Sequence, residues 1–181
     1  MKIAAYTIAL NEEKHVERFM SGLQDADEVH VTDTGSTDRT VEALRDLGAI
    51  VHHTTVAPWR FDVPRNSSLA FVPADVEVCV CLDLDELFDP GWRAAIEKVW
   101  MPDTTRLKYQ YAWSHNPDGS PALTFWYDKI HHRRDYRWIK PVHEILSKYS
   151  GQPEVIVYSN EILLHHWPDN SKSRGSYLSL L

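Results

Sequence analysis

The chain has 181 residues, 43% of them hydrophobic. That is enough for one domain with a sizeable core and too short to make two domains the default. A formal charge of -7 at pH 7 argues against a broad nucleic-acid-binding surface, which needs a basic face. No stretch approaches the roughly 20 apolar residues of a membrane helix, and Met1 to Leu10 lacks the long apolar region and cleavage site of a secretory signal. The expectation is a cytoplasmic protein, with peripheral membrane contact left open.

Lys2 to Ala9 reads as a buried strand, with Asn11 as N-cap of a helix that repeats Val16, Phe19, Met20 and Leu23 along one side. Glu28 to Asp33 is a second strand, and Thr34-Gly35-Ser36 leads into a helix carrying Val41, Leu44 and Leu47, stopped by Gly48. Ala49 to His53 forms a third strand. Pro64 opens a short helix through Phe71, and Val76 to Leu82 is a central strand covered on both faces. Cys79 and Cys81 share one side of it as small buried groups. Asp89-Pro90 begins a helix with Trp92, Ala95, Ile96 and Val99 inward. This alternation predicts an α/β fold, a mostly parallel sheet with helices on both faces.

After Met101-Pro102 the pattern becomes antiparallel and rich in aromatics. Thr105 to Trp113 and Leu123 to Ile130 flank a turn at Asn116-Pro117-Asp118-Gly119. A second hairpin is expected from Glu154 to Tyr158 and Glu161 to His165, around Ser159-Asn160. Asn170 to Leu181 reads as a helix with no terminating cap, so the expectation is a chain cut within a longer protein, a naturally short one being the alternative. Lys129, Arg133, Arg134, Arg137 and Lys140 crowd one segment with His131 and His132. Such a run is usually a solvated face, and the sharper alternative is a site for an anionic donor or acceptor.

Ligands of parallel α/β sheets bind beyond the carboxyl ends of the strands, and two such ends here carry chemistry. Asp83-Leu84-Asp85 follows the central strand. As strand residues i and i+2, Asp83 and Asp85 are expected to project to one side with Leu84 opposite, where hard oxygen ligands suit Mg²⁺ or Mn²⁺ against a diphosphate. Asp33-Thr34-Gly35-Ser36-Thr37-Asp38 offers hydroxyls and amides at a helix start; the blander reading is an ordinary capped turn.

Four ordered segments then resemble a known family: Thr7-Ile8-Ala9-Leu10-Asn11-Glu12, Val31 to Thr40, Arg65-Asn66, and Cys81-Leu82-Asp83-Leu84-Asp85-Glu86. Together they span about half the chain and are similar to family 2 glycosyltransferases of the GT-A fold. Trp138 to Glu144 and Leu164-His165-His166-Trp167 resemble segments of its bacterial lipopolysaccharide-type members. The resemblance implies a single domain over 1–181, with a nucleotide-sugar half (1–100) and an acceptor-side half (101–181). It also implies a UDP-sugar donor, a glycan or other hydroxyl acceptor, inversion, and a nucleotide pocket of Thr7, Asn11, Asp33, Arg65 and Asp83, with Asp83 and Asp85 on Mn²⁺ or Mg²⁺.

Arg65 suits phosphate pairing, against a surface arginine as the alternative. Inversion in one displacement needs a base; Glu144 is the candidate, with Asp128 or Asp135 as alternatives. His165 and His166 point to opposite sides of their strand, so at most one enters the site, where it is a candidate third metal ligand, a satisfied structural histidine being the alternative. Trp59, Trp113, Trp126 and Trp138 are candidates for stacking on a sugar. Sugar nucleotidyl transfer and a non-catalytic nucleotide- or carbohydrate-binding domain are the competing readings. The first is disfavoured because Ala9-Leu10-Asn11-Glu12 contains no glycine.

Overall fold

The structure is a computed structural model and describes residues 1–169; the helix expected over 170–181 lies outside them. Its first part alternates as expected: β1 (Ile3–Ala9), α1 (Glu13–Ser21), β2 (Glu28–Asp33), α2 (Thr40–Asp46), β3 (Ile50–His53), α3 (Asp62–Phe71) and β4 (Val78–Cys81). The rest comprises β5 (Glu86–Phe88), α4 (Trp92–Val99), β6 (Arg106–His115), β7 (Pro121–His132), β8 (Tyr136–Ile139), β9 (Ile145–Lys148) and β10 (Ile156–His166).

Eight strands form one sheet in the order β3-β2-β1-β4-β7-β6-β10-β5, and β8 pairs with β9 as a separate ribbon. The β3-β2-β1-β4 block is wholly parallel. Chain order reverses on either side of β1, which opens a crevice at the strands' carboxyl ends. β7 joins β4 antiparallel and pairs along β6, and β10 then runs parallel to β6.

The two-residue period of the strands divides the core. Ile3 and Ala5 of β1, with Val78 and Val80 of β4, pack on the side holding Val16, Phe19, Leu44, Trp92 and Ile96. Ala4, Tyr6, Cys79 and Cys81 pack on the other side against Leu69, Val72, Tyr136, Trp138 and Leu146. Burying an aliphatic side chain of this size contributes about 1.5–3 kcal/mol. Helices therefore cover both faces, the second face being shared by α3 and the β8–β9 ribbon.

Several local expectations give way to tertiary pairing. Residues 154–165 form no hairpin. β10 is one strand whose register against β6 shifts between Ser159 and Leu163, and Ser159 Oγ accepts from Glu161 N within that irregularity. The pairing partner is β6, so the Ser-Asn signal bends the strand without reversing it. Asn11 is not an N-cap: α1 starts at Glu13, and Asn11 has φ of 53°, a left-handed conformation that asparagine tolerates. Pro64 is the third residue of α3, since the helix starts at Asp62, and Arg60 pairs with Asp62 at 2.8 Å. The β8–β9 ribbon has no counterpart in the sequence reading.

The basic segment is not a uniformly solvated face. Lys129 and His131 are buried, and Arg133 donates twice to the Val72 carbonyl at the end of α3. Only Arg134, Arg137 and Lys140 are exposed. Trp138, expected as a stacking candidate, is a core residue. Its indole N–H donates to Tyr6 Oη at 2.8 Å, while Trp113 and Trp126 remain exposed and Trp59 half-buried.

Candidate active site at the sheet's carboxyl ends

The Asp83-Leu84-Asp85 segment is a turn, closed by a hydrogen bond from Glu86 N to Asp83 O at 2.9 Å. Strand alternation therefore does not set the two carboxylates. Each has its own partners, and the turn separates a closed cationic corner from an open one.

At the closed corner Asp83 Oδ1 lies 2.7 Å from Arg65 Nη2, and Oδ2 lies 3.4 Å from Lys129 Nζ. Arg65 is buried, so the surface alternative does not hold, and its Nε donates to Glu144 Oε1. Asn66 explains how Glu144 reaches this point. Its amide accepts from Trp138 N and donates to Trp138 O, both at 2.8 Å. This pair clamps the β8–β9 ribbon to α3, and the segment joining the two strands then carries Glu144 to Arg65. The Arg65 guanidinium also lies over the Trp138 ring, 5.2 Å from its centre.

Burial acts on this cluster in opposing directions. Burial pushes the Asp83 carboxyl up, but Arg65 and Lys129 outweigh it and hold Asp83 well below the usual range. For Lys129 burial pushes down, and Asp83 and Glu86 overcome it, leaving the ammonium firmly charged. Glu86 is raised by burial and by Asp83, against Lys129. Its oxygens accept from Asp83 N at 2.8 Å and Tyr111 Oη at 2.7 Å. Buried charges persist only when so paired. Lys129 and Glu86 were not singled out from sequence as site residues. Lys129 entered the sequence reading only within the basic run, and Glu86 only as the end of the Cys81-to-Glu86 segment.

At the open corner Asp85 Oδ2 faces His166 Nε2 at 3.4 Å. Burial lowers His166, but Asp85 more than compensates, so its imidazolium is favoured relative to free histidine. His165 points away: it pairs with Asp89 at 3.1 Å and with His115 at 2.8 Å. His165 Nε2–H donates to the Asp89 carboxylate, so Nδ1 accepts from His115 Nε2–H.

Among the described residues no three ligating side chains converge as a ready metal cage. The Asp85 carboxylate nevertheless suits a hard divalent cation, and His166 would join it as a neutral imidazole once its proton is displaced. Adjacent ligands of an octahedral ion with bonds near 2.1 Å lie about 3 Å apart, and Mg²⁺ commonly takes one or two protein ligands, completing its shell with phosphate and water.

The second strand end is also organised. Asp33 is buried, and its carboxylate accepts from Gly35 N and Ser36 N at 3.1–3.2 Å, with His53 Nδ1 at 3.4 Å. Gly35 has φ of 119°, open to glycine alone without strain. Asn11 N donates to Ser36 Oγ, and Asn11 Oδ1 accepts from Thr37 N. The β1 and β2 ends are thus latched together. Thr7 lies beneath them, fully buried, its carbonyl accepting from Ser68 Oγ. Asp128 pairs with Arg106 at 2.9 Å, and the Asp135 carbonyl accepts from Tyr149 N.

This arrangement has relatives of known structure. The glucosyl-3-phosphoglycerate synthase of Mycobacterium tuberculosis, in complex with Mn²⁺, UDP and glucosyl-3-phosphoglycerate, is 26% identical, with a TM-score of 0.50 over 61% of this chain and 44% of that one. The same synthase in complex with Mn²⁺, UDP-glucose and glycerol 3-phosphate is 24% identical, with a TM-score of 0.50 and the same coverage. The match therefore spans less than half the length of these relatives. No curated protein sequence matches the chain. The sheet is of the GT-A type. The family model described as glycosyl transferase family 2 matches residues 5–151, most of the chain, and the protein belongs to that family.

Proposed function

We propose that the protein transfers a sugar from a nucleoside-diphosphate donor, a UDP-sugar, to an acceptor hydroxyl with inversion, and that it requires Mn²⁺ or Mg²⁺. The observation that carries this reading is the Asp85–His166 pair at the carboxyl end of β4, presented by a turn whose other carboxylate is locked by two buried cations. Family membership and the Mn²⁺ and UDP bound by a similar structure support it. The reading treats 1–181 as one domain, with the donor on 1–100 and the acceptor on 101–181.

Asp33, Asn11 and Thr7 line or shape the nucleoside side. Asp83, fixed by Arg65 and Lys129, sets the turn that presents Asp85. Asp85 and His166 would hold the cation. When bound, the cation neutralises charge on the departing diphosphate. Glu144, oriented by Arg65, takes the proton of the acceptor hydroxyl. The acceptor oxygen bonds to the anomeric carbon as the bond to the diphosphate oxygen breaks on the opposite face, and the nucleoside diphosphate leaves.

The test is a screen of nucleotide sugars for hydrolysis or transfer with and without a chelator. UDP release that requires Mn²⁺ or Mg²⁺ is the expected result. Chelator-resistant turnover, or release of pyrophosphate instead of UDP, would overturn the proposal.

A further inference from the structure

Beyond His166 lies a second cavity of about 560 Å³, bounded by the first half of α1 and the carboxyl ends of β6 and β10. Its α1 wall presents Lys14, His15 and Arg18, and its opposite wall presents Trp113, His115 and Trp167. We infer that this cleft holds the part of the acceptor remote from the reacting hydroxyl, and that this part is a sugar carrying an anionic group, phosphate or carboxylate. The acceptor role rests on the transfer reaction proposed above; the anion preference rests on the cleft alone.

Two buried groups on the α1 wall have unmet hydrogen-bonding capacity. His15 is only 8% exposed, and its Nε2 makes no hydrogen bond among the described residues, with the Glu12 carboxylate 3.9 Å away. Its Nδ1 faces Arg18 Nη2 at 3.1 Å. Arg18 Nε is likewise shielded from solvent and unpartnered, and its Nη2 also donates to the Trp167 carbonyl at 3.5 Å. Such groups are costly to bury unless something completes them. A guanidinium whose contacts here are to neutral groups is best completed by an anion.

Lys14 adds a second cation one turn away. It is paired with Asp169 on the chain leaving β10, so an entering anion exchanges one carboxylate for another. This positive wall stands out in a chain of formal charge -7. The aromatic wall suits a sugar ring. Trp167 stacks on His115 at 3.7 Å, nearly parallel, and Trp113 packs against His166 at 4.7 Å. The indoles give the sugar flat apolar faces to lie against. His166 is common to this cleft and to the Asp85 pair, so a sugar held here lies beside the proposed donor site.

The full chain should be titrated with glucose 6-phosphate, glucuronate and glucose, with Mn²⁺-dependent UDP binding measured separately. At least one anionic sugar is expected to bind ten times or more tighter than glucose. Lys14→Gln and Arg18→Gln should each weaken that binding about tenfold while leaving UDP binding intact. Lys14 is exposed, so its variant remains informative if Arg18→Gln fails to fold. Equal binding of glucose, no binding of either anionic sugar, or unchanged affinity in both variants would overturn the inference. Loss of UDP binding in both variants would do the same, by assigning the cleft to the donor. Failure of the wild type to bind UDP with Mn²⁺ would instead strike the function proposed above.

Discussion

The two ends of the Asp83-Leu84-Asp85 turn solve different problems. Asp83 sits in a corner where Arg65, Lys129, Glu86 and Glu144 exchange short contacts under the sheet's end. Asp85 faces one histidine across 3.4 Å, at the edge of a wide cleft. A motif of two equivalent carboxylates in the sequence is therefore divided in space. One carboxylate is held by protein cations and stiffens the turn; the other remains available for a cation that arrives with substrate. A carboxylate held by two protein cations at one end supports one left facing a single histidine at the other.

That division can be broken experimentally. The largest effect is expected for Asp85→Ala, which should reduce turnover by at least a thousandfold with little change in melting temperature, measured by UDP release and thermal unfolding. Near-normal turnover would remove Asp85 from the site. Lys129→Met should act in the opposite sense. It leaves buried Glu86 without its cation and Asp83 with Arg65 alone, a loss of about 3–5 kcal/mol visible in urea unfolding. A stability change below 1 kcal/mol would show that Arg65 alone holds the corner. His166→Ala should weaken Mn²⁺ affinity about 10–100-fold, the range seen when a metal site's supporting groups are lost, whereas His165→Ala should leave it unchanged. Equal effects of the two would erase the distinction drawn from the geometry.

A pH-dependent effect concerns the face beneath α3. His131 is buried and its pKa is pushed down to about 3, chiefly by burial. Its Nδ1 donates to the His132 carbonyl, so Nε2 accepts from Tyr6 Oη. The unfolded chain takes up this proton near pH 6.5 and the folded chain does so only near pH 3. The contribution is therefore complete above pH 6.5 and is lost as pH falls toward 3, by up to about 1.4 kcal/mol per pH unit. His131→Gln should flatten the pH dependence of unfolding between pH 6 and 4; an unchanged slope would show that His131 is not the group responsible.

The parallel half was legible in the sequence because its signals are local. The apolar runs of β1, β2 and β4 and the one-sided stripe of α1 need no distant partner to be recognised, and the order of the strand-end segments pointed to the family before any coordinates. The latter half depends on pairing between distant residues. Ser159-Asn160 reads as a turn, yet β6 captures both flanks into one strand. Trp138 reads as a candidate for stacking on a sugar, yet Asn66 on α3 and Tyr6 on β1 fix it in the core.

The same difference separates the site residues. Asp83 and Asp85 were visible as a pattern, but their different partners were not, because Lys129 lies 46 residues from Asp83. The pairing of Arg65 with Glu144 spans 79 residues. It could not be read from spacing, although both residues were noticed separately. Of the two adjacent histidines, strand alternation established that they diverge, and only the approach of β5 to β10 set His166 beside Asp85.

The most direct test of the account is UDP binding by calorimetry with and without Mn²⁺, in the wild type, Asp85→Asn and His166→Ala. The account predicts UDP binding that strengthens at least tenfold with Mn²⁺ in the wild type, and loses most of that gain in both variants. Binding indifferent to Mn²⁺ in the wild type, or an Mn²⁺ effect fully retained in both variants, would contradict it.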